Sequence, residues 1–144
     1  MSGKVFWDTN ILVYVFDAAH PQKRLRARQL LNEGLRDGTL CLSWQVIQEF
    51  ANVALHQFES KMPVTALGEF METVLFPCCG VYPSPDLYTK ALKIHSRTQY
   101  RFNDSLIVAS ALEARVNLLY SEDLQEEREI EGLRIINPFR ATQA

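Results

Sequence analysis

Short apolar runs alternate along the chain with longer segments in which apolar positions recur every three or four residues. Residues 5–7 (Val-Phe-Trp), 40–42 (Leu-Cys-Leu) and 118–120 (Leu-Leu-Tyr) read as short buried strands, and 133–136 (Leu-Arg-Ile-Ile) as a final strand at the sheet edge. A weaker extended segment is expected at 79–82. Between them, helical spacing predicts helices over 11–16, 21–35, 44–55, 65–75, 85–98 and 102–112. Strands that alternate with helices in this way predict one α/β domain over residues 1–144: three α/β/α layers around a central, mainly parallel β-sheet. No repeat, low-complexity stretch or linker interrupts the pattern.

The polar positions mark where these elements start and stop. Pro21 suits a first helical turn, and Asp37–Gly38 ends that helix; its apolar face is expected to comprise Leu25, Leu30, Leu31 and Leu35. Lys23, Arg24, Arg26 and Arg28 populate its polar surface, read as a solvated face before a contact with RNA or an acidic partner. Ser43 is placed to cap the 44–55 helix, and Ser84–Pro85–Asp86 opens the 85–98 helix with a hydroxyl cap, a proline and an acid. Gly68 weakens the 65–75 helix, and Pro77 closes that unit. The 102–112 helix combines small and apolar residues on all sides, as a buried central element does.

Composition narrows the class without naming a partner. The chain has 144 residues, 47% hydrophobic and 22% charged, with a formal net charge of −2. That is enough chain for a core and too apolar for disorder. No run is long enough to cross a bilayer, and the opening lacks a signal-like segment, so a cytoplasmic protein is expected. The acidic balance, with a pI near 5.9, gives no global attraction to nucleic acid but leaves room for a local basic rim. Cys41, Cys78 and Cys79 lack zinc-site spacing and read as buried thiols of a reducing compartment.

The chemistry lies in acids at element ends. Asp8 follows the first strand, Glu49 sits early in the 44–55 helix, Asp104 opens the 102–112 helix, and Asp123 follows the 118–120 strand. Each has an ordinary reading: Asp8 as a helix cap, Asp104 as a first-turn acid, Glu49 as surface charge. Together they read differently, because carboxyl ends of parallel strands open onto one crevice. Crowded carboxylates repel and raise one another's pKa, so such a cluster calls for a cation. All-oxygen donors suit Mg2+ or Mn2+ better than zinc. Such ions activate water and stabilise phosphodiester charge. Asn10 and Ser121 are placed to orient a carboxylate or water, and Arg97 and Arg101 are the candidate RNA contacts.

The order of these motifs resembles the PIN-domain family, and within it the toxin ribonucleases of VapBC-type toxin–antitoxin pairs. Asp8–Thr9–Asn10–Ile11–Leu12–Val13–Tyr14 is similar to the family's first acidic motif. Ser43–Trp44–Gln45–Val46–Ile47–Gln48–Glu49–Phe50 carries the second acid, Asn103–Asp104–Ser105–Leu106–Ile107–Val108–Ala109 the third, and Ser121–Glu122–Asp123–Leu124 the fourth. The resemblance spans nearly the whole chain, including the closing segment at 131–139. It implies a PIN-like fold and a Mg2+- or Mn2+-dependent endoribonuclease, with Asp8, Glu49, Asp104 and Asp123 as catalytic acids and metal ligands. Asp8 and Asp104 are the strongest ligand candidates, and Ser121 supports them. It also implies a homodimer inhibited by a cognate antitoxin that lays a segment across the groove. The departure is the acidic run Glu126–Glu127–Arg128–Glu129, which leaves the RNA path open. The alternative is a PIN-like RNA-binding or regulatory module without turnover. A haloacid-dehalogenase-type phosphatase is disfavoured because Asn10 stands where its second aspartate belongs.

Overall fold

A computed structural model of the chain describes residues 3–124 and 128–140. Six strands form one sheet: β1 (Val5–Trp7), β2 (Leu40–Ser43), β3 (Cys79–Val81), β4 (Leu118–Tyr120), β5 (Glu129–Ile130) and β6 (Leu133–Ile136), in the order β3-β2-β1-β4-β6-β5. Every pairing is parallel except β5 against β6. The helices are α1 (Thr9–Tyr14), α2 (Pro21–Asp37), α3 (Trp44–His56), α4 (Val64–Phe70), α5 (Pro85–Thr98) and α6 (Phe102–Glu113). Together they give the expected three-layer α/β/α arrangement around a central, mainly parallel sheet.

From β1 the chain steps outward to β2 and β3, then returns to β4 on the other side of β1. Right-handed crossovers place the helices of the outward and return paths on opposite faces. The packing agrees: α1 contacts α2 and α3, whereas α5 packs on α6. The direction of winding therefore reverses between β1 and β4, the position at which open α/β sheets bind ligands.

Local chemistry explains the helix ends. Ser43 Oγ accepts the Val46 N–H at 3.3 Å, and Ser84 Oγ accepts the Leu87 N–H at 3.1 Å, each capping a helix as expected. Gly38 ends α2 in the left-handed region at φ 68°. α6 is buried on all sides from Ser105 through Ala111, and Ser110 Oγ donates to the Leu106 carbonyl at 2.7 Å.

Four expectations need correction. The buried face of α2 is Ala27, Leu30, Leu31 and Gly34; Leu25 and Leu35 are 62% and 42% exposed. Positions 27, 30, 31 and 34 fall on one side of a helix, and Leu25 and Leu35 do not. At Gly34 α2 approaches β2 closely: a Cβ there would lie 3.3 Å from that of Leu40, a tight contact that Leu40 would have to relieve by a small shift. The helix at 65–75 is regular only through Phe70; Met71–Leu75 winds as a π-helical turn, followed by a 3-10 turn at Phe76–Cys78.

The third correction concerns the edge. β6 is not the edge strand, since β5 pairs outside it through a two-residue turn in which Glu131 and Gly132 both have positive φ, 51° and 88°. Of the acidic run at 126–129, Glu126 and Glu127 lie outside the described residues. All three cysteines are free thiols, but only Cys41 is buried as expected; Cys78 and Cys79, where the chain enters the edge strand β3, are half-buried.

Candidate active site

Asp8 is built into the switch point. It leaves β1 with its N–H donating to the Tyr120 carbonyl of β4 at 2.9 Å, so the two strand ends are stitched together. It is also the N-cap of α1: the Thr9 N–H donates to Asp8 Oδ1 at 2.7 Å. Its other oxygen accepts the Ser121 hydroxyl at 2.7 Å. Ser121 is fully buried, and its Oγ in turn accepts the Leu124 N–H at 3.3 Å. Capping and a place in the crevice thus coexist in one side chain.

The carboxyl of Asp8 is only 6% exposed, and its pKa rises from 3.8 to about 7. Burial is the main cause. The Ser121 and Thr9 hydrogen bonds oppose it, and the Asp104 and Asp123 charges add to it. Asp104, in the first turn of α6, is also raised, first by burial and then by Asp123, with Arg101 pulling the other way. The acids therefore sense one another across the space between β1, β4 and α6.

Glu49 reaches the same space from α3. Its Oε1 accepts the Thr9 hydroxyl at 2.5 Å, and Gln45 Nε2 stands 3.5 Å from Oε2 while donating to the Asn103 carbonyl at 3.1 Å. An open cleft of about 870 Å³ is lined by Asp8, Glu49, Asp104 and Asp123 together, along with Thr9, Asn10 and Arg101. Asn10 Oδ1 accepts the Glu122 N–H at 3.4 Å, while its buried Nδ2 has no hydrogen-bond partner among the described residues. Arg97 does not line this cleft. It is held by Glu131 at 2.5 Å, in a separate depression shared with Lys90.

The donor set suits a hard divalent cation: carboxylate oxygens only, with Asp8 desolvated and crowded by like charge. Among the described residues no three such groups stand close enough to enclose an ion directly. Mg2+ does not demand this, since it keeps several waters and is commonly held by one or two carboxylates.

Sequence reasoning gave no role to Thr9, Gln45, Tyr14 or Glu122, and it read Lys23 as part of a solvated face, whereas Lys23 pairs with Glu122. The Glu122 carboxylate accepts from Tyr14 OH at 2.6 Å and from Lys23 Nζ at 2.5 Å, and Lys23 also lies 4.9 Å from the Tyr14 ring centroid. These contacts hold the loop carrying Ser121 and Asp123 against α1 and α2, and they keep the Glu122 carboxyl below its ordinary pKa despite partial burial. The only available signal was position: Tyr14 lies in the first motif, and Glu122 beside the fourth acid.

Comparison with known proteins adds the following. A family model described as PIN domain matches residues 5–128. A search of curated proteins returns no match. Among solved structures, the chain is similar to a toxin–antitoxin complex from Klebsiella pneumoniae, with 18% identity, TM-score 0.63, and coverage of 94% of this chain and 98% of that one. It is also similar to a structure described as FitAB bound to an IR36 DNA fragment, with 18% identity, TM-score 0.61, and coverage of 94% and 95%. A third is the Mycobacterium tuberculosis toxin VapC20, described as cleaving the sarcin-ricin loop, with 18% identity, TM-score 0.55, and coverage of 83% and 90%. At this identity the structures establish a shared fold.

Proposed function

The chain belongs to the PIN domain family, and from that premise we propose that it is a metal-dependent endoribonuclease, the toxin of a toxin–antitoxin pair. The observation that carries this reading is Asp8. A desolvated carboxylate, fixed at both oxygens, shares one cleft with three further acids at the switch point of the sheet. Asp8 and Asp104 are the principal residues to hold Mg2+ or Mn2+, with Glu49 and Asp123 beside them. Once bound, such an ion supplies an activated water and positive charge at the scissile phosphate.

The protein's own groups do the positioning. Ser121 and the Thr9 N–H aim the two oxygens of Asp8 and favour its charged form. Thr9 Oγ1 holds Glu49 in the cleft, tying α1 to α3. Asn10 Oδ1 accepts the Glu122 N–H and so helps hold the loop that carries Asp123. Arg101, on the cleft wall, is placed for a backbone phosphate; Arg97, tied to Glu131, is a lesser RNA contact.

The same acidity defines the antitoxin. A cationic side chain laid into the cleft would satisfy the acids and exclude substrate. Two of the similar structures are described by names that include a toxin–antitoxin pair or a DNA-bound FitAB assembly, which supports a protein partner of this kind. A homodimer and a cytoplasmic location belong to the same reading. Among the described residues, no helix is long and apolar enough to cross a membrane.

The second reading is a PIN-like RNA-binding or regulatory module without turnover, favoured by the lack of three closely set ligands among the described residues. Cleavage of RNA by the purified chain, free of antitoxin, separates the two. The nuclease reading expects cleavage with magnesium or manganese, none with chelator, and none from folded Asp8→Asn or Asp104→Asn variants. RNA binding without cleavage under all metal conditions would favour the module. Cleavage indifferent to chelator and to both substitutions would overturn the proposed mechanism.

A further inference from the structure

Beside the acidic cleft lies a second cavity, of about 320 Å³, between the start of α3 and the start of α5. Glu49, Phe102 and Asn103 line both spaces, so the two adjoin. We propose that this cavity is a nucleobase subsite, receiving one unpaired base of the RNA strand whose phosphate sits over the acids. The proposal rests on the nuclease reading and names part of its substrate, a single-stranded segment with an unstacked base.

The walls suit a base. Trp44 and Tyr82 contact each other with ring centroids 6.0 Å apart, and Tyr88 and Phe102 at 5.9 Å, so two aromatic pairs border the cavity. Trp44, Tyr82 and Tyr88 remain 40%, 58% and 43% exposed, which is much aromatic surface left to water. Single-stranded RNA is bound by splaying bases onto such rings and hydrogen-bonding their edges.

Amides supply the edge contacts. Gln45 Nε2 is committed to the Asn103 carbonyl, which orients the amide, and the buried Oε1 is left without a partner among the described residues. Oε1 is closed to solvent as the side chain stands, so an incoming base amino group reaches it only by displacing the groups that cover it. Gln48 adds a second amide to the lining. Glu49 is the one charged residue among those that line the cavity. A neutral, flat, hydrogen-bonding group is accommodated there, and a phosphate is not. The opening toward the acids favours RNA over a protein side chain, because a phosphate bound at the acids must carry its flanking nucleotide onto the adjoining surface.

The test uses the full chain and two probes: a single-stranded penta-adenylate RNA, and the same pentamer with all five residues abasic. Binding is followed with calcium in place of magnesium, and cleavage with magnesium. Trp44→Ala and Tyr88→Ala are expected to weaken penta-adenylate binding on the order of 10-fold each, raising KM more than they lower kcat. Neither should change binding of the abasic probe, and Trp44→Phe should restore most of the loss.

Wild-type affinity from both alanine variants, in a chain that still cleaves with magnesium, would overturn the subsite and leave the nuclease reading standing. Loss of cleavage in the Asp104→Asn control with base-dependent binding retained supports both. Failure of the wild type to cleave, with base-dependent binding that Trp44→Ala abolishes, supports the subsite and removes the nuclease. If Trp44→Ala converts a dimer to a monomer in sedimentation and the two probes bind wild type equally, the face is a contact between copies and the proposal fails.

Discussion

Asp8→Asn should stabilise the metal-free protein while abolishing its activity, and the gain should grow with pH. In the unfolded chain the Asp8 carboxyl loses its proton near 3.8, whereas in the fold burial and neighbouring acids raise that value to about 7. Below 3.8 the group is neutral in both states and burial of the neutral form carries no ionisation cost. Between 3.8 and 7 the unfolded chain releases the proton and the folded one keeps it, so stability falls as pH rises. Above 7 both are ionised and the cost is constant. The full gap corresponds to at most about 4 kcal/mol at ~1.4 kcal/mol per pH unit. Over the accessible range from pH 5 to 8, the Asp8 contribution should change by about 2–3 kcal/mol.

Asparagine never ionises, keeps an acceptor for the Thr9 N–H and can donate to Ser121 Oγ, so packing is preserved. Urea denaturation in EDTA at pH 5, 6, 7 and 8 measures the difference between wild type and variant. The variant should gain on wild type steadily up to about pH 7 and then level off. Added magnesium should close the gap at pH 8 by stabilising only wild type, since a ligand that binds the folded state raises its stability. A difference that is flat across this range, or a variant that loses ground as pH rises, would refute the assignment of Asp8 as a buried acid whose hydrogen bonds do not offset its desolvation.

Two further perturbations probe the supports. Ser121→Ala removes the hydrogen bond that most favours ionised Asp8, so the acidic limb of the cleavage pH profile should move to higher pH, with about 1–3 kcal/mol lost in stability; an unmoved limb would detach Ser121 from Asp8. Lys23→Met breaks a partly exposed ion pair and should cost only about 0–1 kcal/mol. It should nevertheless speed hydrogen exchange at the Glu122 and Leu124 amides and lower kcat by loosening the loop that carries Asp123; unchanged exchange and turnover would make that contact incidental.

The backbone of this domain was readable from local patterns. The strands at 5–7, 40–42, 118–120 and 133–136, the caps at Ser43 and Ser84, and the all-round burial of the 102–112 helix follow from side-chain periodicity and from the hydrogen-bonding needs of helix ends. β5 escaped because a two-residue strand inside a charged run has no apolar alternation; only its pairing with β6 defines it. The π-helical turn at Met71–Leu75 escaped because its apolar spacing is indistinguishable from that of an α-helix.

The acids were legible as residue types at element ends, and the PIN-domain family as their order. What only the tertiary structure decided is which groups act on which. Ser121 meets Asp8 across 113 positions, Thr9 meets Glu49 across 40, and Lys23 meets Glu122 across 99. Arg101 borders the acidic cleft while Arg97, four residues away, is drawn to Glu131. Sequence periodicity reports which face of an element is buried. Whether a buried carboxylate is desolvated, and by whom it is held, depends on strand order and on the reversal of winding between β1 and β4, and those arise only when the sheet assembles.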